Sequence, residues 1–252
     1  MKTPKILVSI ITASYNSELF INETILSIQN QTFTNWELII TDDCSSDNTE
    51  GVIESFIKKD DRIRLYTLKS NQGSGAARNH SIKMAKGRYI AFCDSDDQWK
   101  ANKLELQLNF MIKNNIVLSY SGYDVIGENG KFIRTIYPPK IITHKKILSN
   151  NYIGCLTAIY DSEKIGKQYM PLIRKRQDWV LWITILKKIK KTEGIKTSLA
   201  IYRLRSNSIS NNKLNLITHN WNVYNKVLGY NMFKSVLLML NFIIHYAIKV
   251  IK

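Results

Sequence analysis

The chain has 252 residues, of which 44% are hydrophobic and 22% charged, a balance that supplies a sizeable core and excludes wholesale disorder. Its formal charge of +16 is unevenly placed: residues 1–130 hold 14 basic and 16 acidic side chains, net −2, and residues 131–252 hold 22 and 4, net +18. The three scattered cysteines, Cys44, Cys93 and Cys155, exclude a disulfide framework or zinc finger and fit a reducing compartment.

In chain order, Ile6–Thr12 is a continuous apolar, β-branched run and reads as a strand buried on both faces rather than a signal peptide, because polar Ser14-Tyr15-Asn16 follows with no small-residue cleavage site. Phe20–Gln29 carries helical spacing. Trp36–Thr41 is a second strand, closing on Asp42-Asp43; Ser46 or Asp47 can cap the helix that follows. Ile63–Leu68 is a third strand, and Ala76–Lys86 a third helix with Gly87 as its expected C′ residue. Tyr89–Cys93 is a fourth strand, closing on Asp94-Ser95-Asp96-Asp97, before a helix over Lys100–Asn114. Val117–Val125 and Lys131–Ile136 read as strands joined by a turn at Gly127–Gly130, and Pro138-Pro139 breaks the chain. Asp178–Ile189 is an apolar helix, Thr197–Leu204 a last strand, and Lys213–Val227 a polar helix. Asn231–Lys252 carries a wide apolar face with a narrow polar stripe of Asn241, His245 and Lys249. No stretch reaches the ~20 apolar residues of a membrane-spanning helix.

Alternating strand and helix predicts an α/β fold with a mostly parallel central sheet sandwiched by helices, ending in an amphipathic helical tail. Ligands of such sheets bind beyond the carboxyl ends of the strands, where both acidic clusters fall. Three carboxylates within Asp94–Asp97 repel one another unless a cation sits among them, which suits Mg²⁺ or Mn²⁺ shared with phosphate oxygens. The competing reading is an acidic, solvated turn. Asp42-Asp43 can accept hydrogen bonds from a ribose or base, or only shape a loop. Asn71–Asn79 (NQGSGAARN) offers a glycine loop before a helix and an arginine, Arg78, for phosphate or base, but it is neither a P-loop nor a dinucleotide fingerprint.

Taken together, the segments VSIITASYN (8–16), SIQNQTFTNWELIITDDCSSDNT (27–49), NQGSGAARNHSIKMAKGRYIAFCDSDD (71–97), RQDWVLW (176–182) and YRLRSNSIS (202–210) resemble the inverting glycosyltransferases of family 2, with their GT-A fold. The resemblance implies a domain over 1–212, with 1–97 its nucleotide-binding half and 98–212 its acceptor half; the apolar face of 231–252 adds the expectation of a membrane-associating tail over 213–252, the competing reading being a helix packed on the catalytic domain or a second subunit. It implies that Ala13, Tyr15, Asp42, Asp43, Arg78, Asp94 and Ser95 bind a nucleotide-sugar. Asp94 and Asp96 would hold the metal, with Asp96 the favoured ligand, and Asp178 would be the general base. Arg203 and Arg205 would contact diphosphate or acceptor. The chain departs from the family pattern at Gln177, where Glu is frequent, and at Arg205, where His is usual. For Asp178 the competing reading is an N-cap or first-turn acid.

The implied activity is transfer of a sugar from a UDP-sugar, with inversion, to a lipid-linked or polysaccharide acceptor in cell-surface glycan synthesis. The implied setting is the cytoplasmic face of the plasma membrane, with attachment to its anionic surface and a possible homo-oligomer. A nucleic-acid-binding protein is the rival that +16 suggests, but no RNA- or DNA-binding signature accompanies the charge. A catalytically inactive scaffold would be marked by loss of Asp96 or Asp178, and both are present. Trp179 and Trp182 read as core rather than as sugar-stacking surfaces.

Overall fold

The computed structural model describes residues 8–205 and 215–251. Ile6 and Leu7 of the first predicted strand, the 212/213 domain boundary and Ser206–Ser210 of the last motif lie outside the described residues. The first half is built from β1 (Val8–Ser14), α1 (Ile21–Gln29), β2 (Trp36–Asp42), α2 (Thr49–Ile57), β3 (Ile63–Thr67), α3 (Ser74–Met84) and β4 (Tyr89–Phe92). The chain continues through β5 (Gln98–Trp99), α4 (Lys103–Lys113), β6 (Leu118–Ser119), β7 (Ser121–Ile126) and β8 (Phe132–Ile136). Then come β9 (Ile141–Thr143), α5 (His144–Ile147), β10 (Ile159–Asp161), α6 (Ser162–Ile165), α7 (Gln177–Ile189), β11 (Lys191–Glu193) and β12 (Ile195–Arg203). The last helices are α8 (Asn215–Asn222), extended by a π-helical turn over Val223–Val227, and α9 (Met232–Ile251).

The main sheet has the order β3-β2-β1-β4-β10-β6. Its first four strands are parallel, and β10 runs antiparallel to both β4 and β6. Alternate residues of each strand feed opposite cores, as a pleated strand requires. Ile10, Leu38, Ile40 and Ala91 pack with α1, α2 and α4, whereas Ile11, Ile39, Ile90 and Phe92 pack with α3 and α7. The sheet is therefore covered on both faces, which is why every residue of β1 and β2 is buried and most are apolar. Phe92 meets Trp182 edge to face at 5.6 Å, and Trp179 and Trp182 are both fully buried. Neither tryptophan is available to stack on a sugar.

Val117–Val125, read as one strand, is two. β6 closes the main sheet, and β7 joins a second sheet of order β5-β12-β7-β8. Tyr120 sits at the switch, its hydroxyl donating to Pro139 O at 2.7 Å. A Cβ on Gly194 would meet the Tyr120 ring at 2.2 Å, so only glycine lets this ring lie flat on β11's end. Gly87 is also a close-approach residue rather than a helix terminator. α3 ends at Ala85, and a Cβ on Gly87 would meet the Ser9 backbone at 2.6 Å. The second sheet reaches the site through Arg203 at the end of β12, whose backbone N–H donates to Asp97 Oδ1 at 3.0 Å.

Candidate active site

The carboxyl ends of β1, β2 and β4 lie side by side, because β1 pairs with both neighbours in parallel register. The loops that leave those ends form one wall of a cleft of about 1110 Å³. That volume is slightly above the usual range of small-molecule pockets.

Asp42, the last residue of β2, is fully buried. Its carboxylate accepts from Ser14 Oγ at 2.8 Å, Ser45 Oγ at 2.7 Å and Ser45 N at 2.7 Å, so it holds the strand-end turn rather than a ligand. Asp43 lines the cleft and accepts two backbone amides, Gln72 N and Gly73 N, each at 2.7 Å. It thereby ties the loop before α3 to β2. Gly73 supports this with φ of +89°, a conformation that side chains resist. A carboxylate has lone pairs beyond those two bonds, so Asp43 keeps acceptor capacity toward the cleft. Tyr15 lines the same wall with its ring 48% exposed, and Ala13 lies beside it. Ser95 also lines the cleft, its hydroxyl 2.7 Å from that of Ser17.

Arg78 projects from α3 and is nearly buried. Its Nε and Nη2 both donate to Asp94 Oδ1, at 3.1 and 2.6 Å, and its Nη1 donates to Gln177 Oε1 at 3.2 Å. Burial disfavours the charged guanidinium, but Asp94 outweighs burial and raises its pKa. Asp94 is thus engaged by an arginine, which leaves Asp96 as the carboxylate of the pair that faces the cleft without a buried partner. Burial, then Asp94, push the Asp96 carboxyl above its ordinary range, and Arg205 pulls it back. The Arg205 Nη1 lies 3.5 Å from Asp96 Oδ2, and its guanidinium rests over the Phe20 ring at 4.8 Å. Asp97 is buried behind them; its Oδ2 has no hydrogen-bond partner among the described residues.

Arg203 corrects the expectation of a diphosphate or acceptor contact. It is 4% exposed, pairs with Glu23 at 2.5 Å and donates to Asp96 O and Glu128 O. It clamps the acidic turn to α1 and to the second sheet, and it does not line the cleft.

The opposite wall comes from the acceptor half. Asp178 lies in the first turn of α7, not at its cap, which is Arg176. Its Oδ2 accepts from Asn151 Nδ2 at 2.8 Å, a bond that aims the carboxylate across the cleft. Asn151 falls between the recognisable motifs and escaped sequence reasoning; no spacing rule marks an asparagine in an irregular loop. Gln177, the departure from Glu, donates to Ile173 O and accepts from Ser74 Oγ at 3.0 Å as well as from Arg78, so it joins the two walls.

A hard divalent ion fits this donor set only with help. Among the described residues no three His, Cys, Asp or Glu side chains converge to hold an ion unaided. Asp96 could supply one oxygen and a diphosphate and water the rest, the usual pattern for Mg²⁺ and Mn²⁺.

This fold, with its cleft at the strand ends, is that of a GT-A glycosyltransferase. The family model described as "Glycosyl transferase family 2" matches residues 9–235, and the chain belongs to that family. It is 42% identical over 224 residues to TuaG of Bacillus subtilis strain 168, a glycosyltransferase named for teichuronic acid biosynthesis, covering 88% of this chain and 89% of TuaG. It is 41% identical over 243 residues to WfgD of Escherichia coli, named UDP-Glc:alpha-D-GlcNAc-diphosphoundecaprenol beta-1,3-glucosyltransferase, covering 94% and 92%. Staphylococcus aureus TarS 1-349, solved with UDP-GlcNAc, shares the fold: TM-score 0.70 at 20% identity, over 94% of this chain and 71% of that one.

Proposed function

We propose that this enzyme transfers a sugar from a UDP-sugar to a lipid-linked acceptor carrying a diphosphate, with inversion, in cell-surface glycan synthesis. The observation that carries the reading is convergence. One cleft brings Asp43, Arg78 and Asp96 from the strand-end half opposite Asp178 from the acceptor half. The names of TuaG and WfgD support the pathway and the acceptor class.

Tyr15 and Asp43 hold the uridine, the ring by stacking and the carboxylate by accepting an N–H or hydroxyl. Arg78 fixes Asp94 and the floor beneath the donor. Asp96 would hold Mn²⁺ or Mg²⁺, which when bound would supply charge neutralisation for the departing diphosphate. Asp178, aimed by Asn151, takes the proton of the acceptor hydroxyl as its oxygen attacks the anomeric carbon. The bond from that carbon to the diphosphate oxygen breaks, and its electron pair leaves with UDP. A single displacement inverts the centre.

The exposed apolar face of α9 supports attachment to an anionic bilayer surface. Ser235, Met239 and Phe242 pack inward, while Phe233 is 75% exposed beside Leu237, Leu240 and Ile244. Of the predicted polar stripe, Asn241 is half-buried, whereas the side chains of His245 and Lys249, and all of Lys252, lie outside the described residues. Among the described residues no helix is long and apolar enough to cross a membrane.

The test is UDP release from a panel of UDP-sugars with Mn²⁺ and a lipid-diphosphate-linked sugar as acceptor. One donor should turn over well above the rest, and an α-linked donor should give a β-linked product by NMR. Release from none, or a retained configuration, would contradict the reading.

A further inference from the structure

We propose that the rim Arg174-Lys175-Arg176, with Leu172, is a subsite for the diphosphate of the lipid-linked acceptor, distinct from the place of the donor's diphosphate at Asp96. The proposal rests on the donor and acceptor reading above.

Three observations carry it. First, the three consecutive cations line the cleft beside Asp178, whose charge acts on Arg176, and none of them lies within salt-bridge distance of a carboxylate among the described residues. The other arginines of the site differ: Arg78 pairs with Asp94, Arg203 with Glu23 and Arg205 with Asp96. Adjacent unpaired cations repel one another and are stabilised by an anion that reaches them together. Guanidinium forks suit phosphate oxygens in particular.

Second, the backbone is bent to place them. Arg176 has φ of +69°, in the left-handed region that non-glycine residues seldom occupy. Its guanidinium lies over the Trp179 ring at 5.5 Å rather than in bulk solvent. Strain of this kind concentrates at binding sites.

Third, the surroundings suit a lipid. Leu172 is 76% exposed on the same loop. On the far side, His219 of α8 feels Lys175 and Arg176, which add to burial in lowering its pKa. α8 packs on α9, whose outer face is apolar. Base and cationic rim are neighbours, the rim neighbours α8, and α8 packs on the apolar helix. That is also the order of a lipid-linked acceptor: hydroxyl, diphosphate, hydrocarbon.

Farnesyl diphosphate serves as the probe, titrated calorimetrically into the full-length protein already saturated with UDP, so that the donor's diphosphate position is filled. Farnesyl diphosphate should bind at least tenfold tighter than farnesol. The double variant Arg174→Glu/Lys175→Glu should lose at least tenfold in farnesyl diphosphate affinity, with its UDP affinity within twofold of wild type. The proposal is overturned if farnesol binds as tightly, if the double variant binds the probe like wild type, or if the probe binds only to protein free of UDP. The UDP titration reads the donor assignment separately: loss of UDP binding with retained probe binding would sink that assignment and leave the rim standing.

Discussion

Arg205, where the family resemblance leads one to expect histidine, contacts Asp96. A histidine at position 205 could share a metal with the diphosphate, whereas a guanidinium is itself a cation and sits 3.5 Å from the carboxylate proposed to hold the metal. Both side chains are about a quarter exposed, so the pair is worth roughly 0.2–1 kcal/mol. Arg205→Ala should therefore bind Mn²⁺ more tightly in the absence of nucleotide, by roughly one-and-a-half- to fivefold, the factor that energy corresponds to. Paramagnetic resonance of free Mn²⁺ reads this without any turnover. Unchanged or weaker binding would show that Arg205 does not compete for Asp96. The residues that could be read in advance were those at strand ends, since Asp42, Asp43 and Asp94–Asp97 follow directly from where apolar runs stop. Asn151 and the rim 174–176 could not, because their importance comes from being folded against Asp178 from an irregular segment.

At the scale of elements, α4 carries a buried lysine that the site does not use. Lys103 is fully buried, donates to Gln107 Oε1 at 3.0 Å and lies 4.2 Å from the centre of the Trp99 ring. Burial pulls its pKa down to about 7, with Cys93 acting the other way. Above that value the folded protein carries Lys103 neutral, while the unfolded chain holds the proton until about pH 10.4. The unfolded state binds more protons in this window, so stability rises with pH there and falls as pH drops toward 7. Denaturation of Lys103→Met at pH 7 and 9 should remove a slope of about 1.4 kcal/mol per pH unit that wild type shows. Parallel slopes in the two proteins would mean that Lys103 is not neutralised by folding. α4 was legible as an element because its apolar residues repeat at helical spacing; the lysine on its buried side was not. The parallel strands β1 to β4 were legible as short segments rich in β-branched and aromatic residues, β1 most plainly. β5, β6 and β9 to β11 are two or three residues long and exist only through pairing with distant partners. No local pattern announces such strands.

At the scale of the molecule, the charge of +16 divides by task. The acidic residues at the strand ends lie in the half with net −2, and the rim and α9 lie in the half with +18. An apolar helix face beside a basic half is the arrangement that binds anionic interfaces. Liposome flotation should show binding to vesicles with 30% anionic lipid, weakened by 0.5 M salt and lost on truncation at residue 230. Equal flotation of the truncated protein would place attachment elsewhere.

In the proposed reaction the two walls of the cleft meet to transfer a sugar, with Asp178 as the base. It is tested most directly by acceptor-dependent UDP release from Asp178→Asn, measured beside its affinity for UDP. A general base contributes about 10²- to 10⁴-fold, so turnover should fall by that factor while UDP binds as in wild type. Turnover within threefold of wild type would contradict the account.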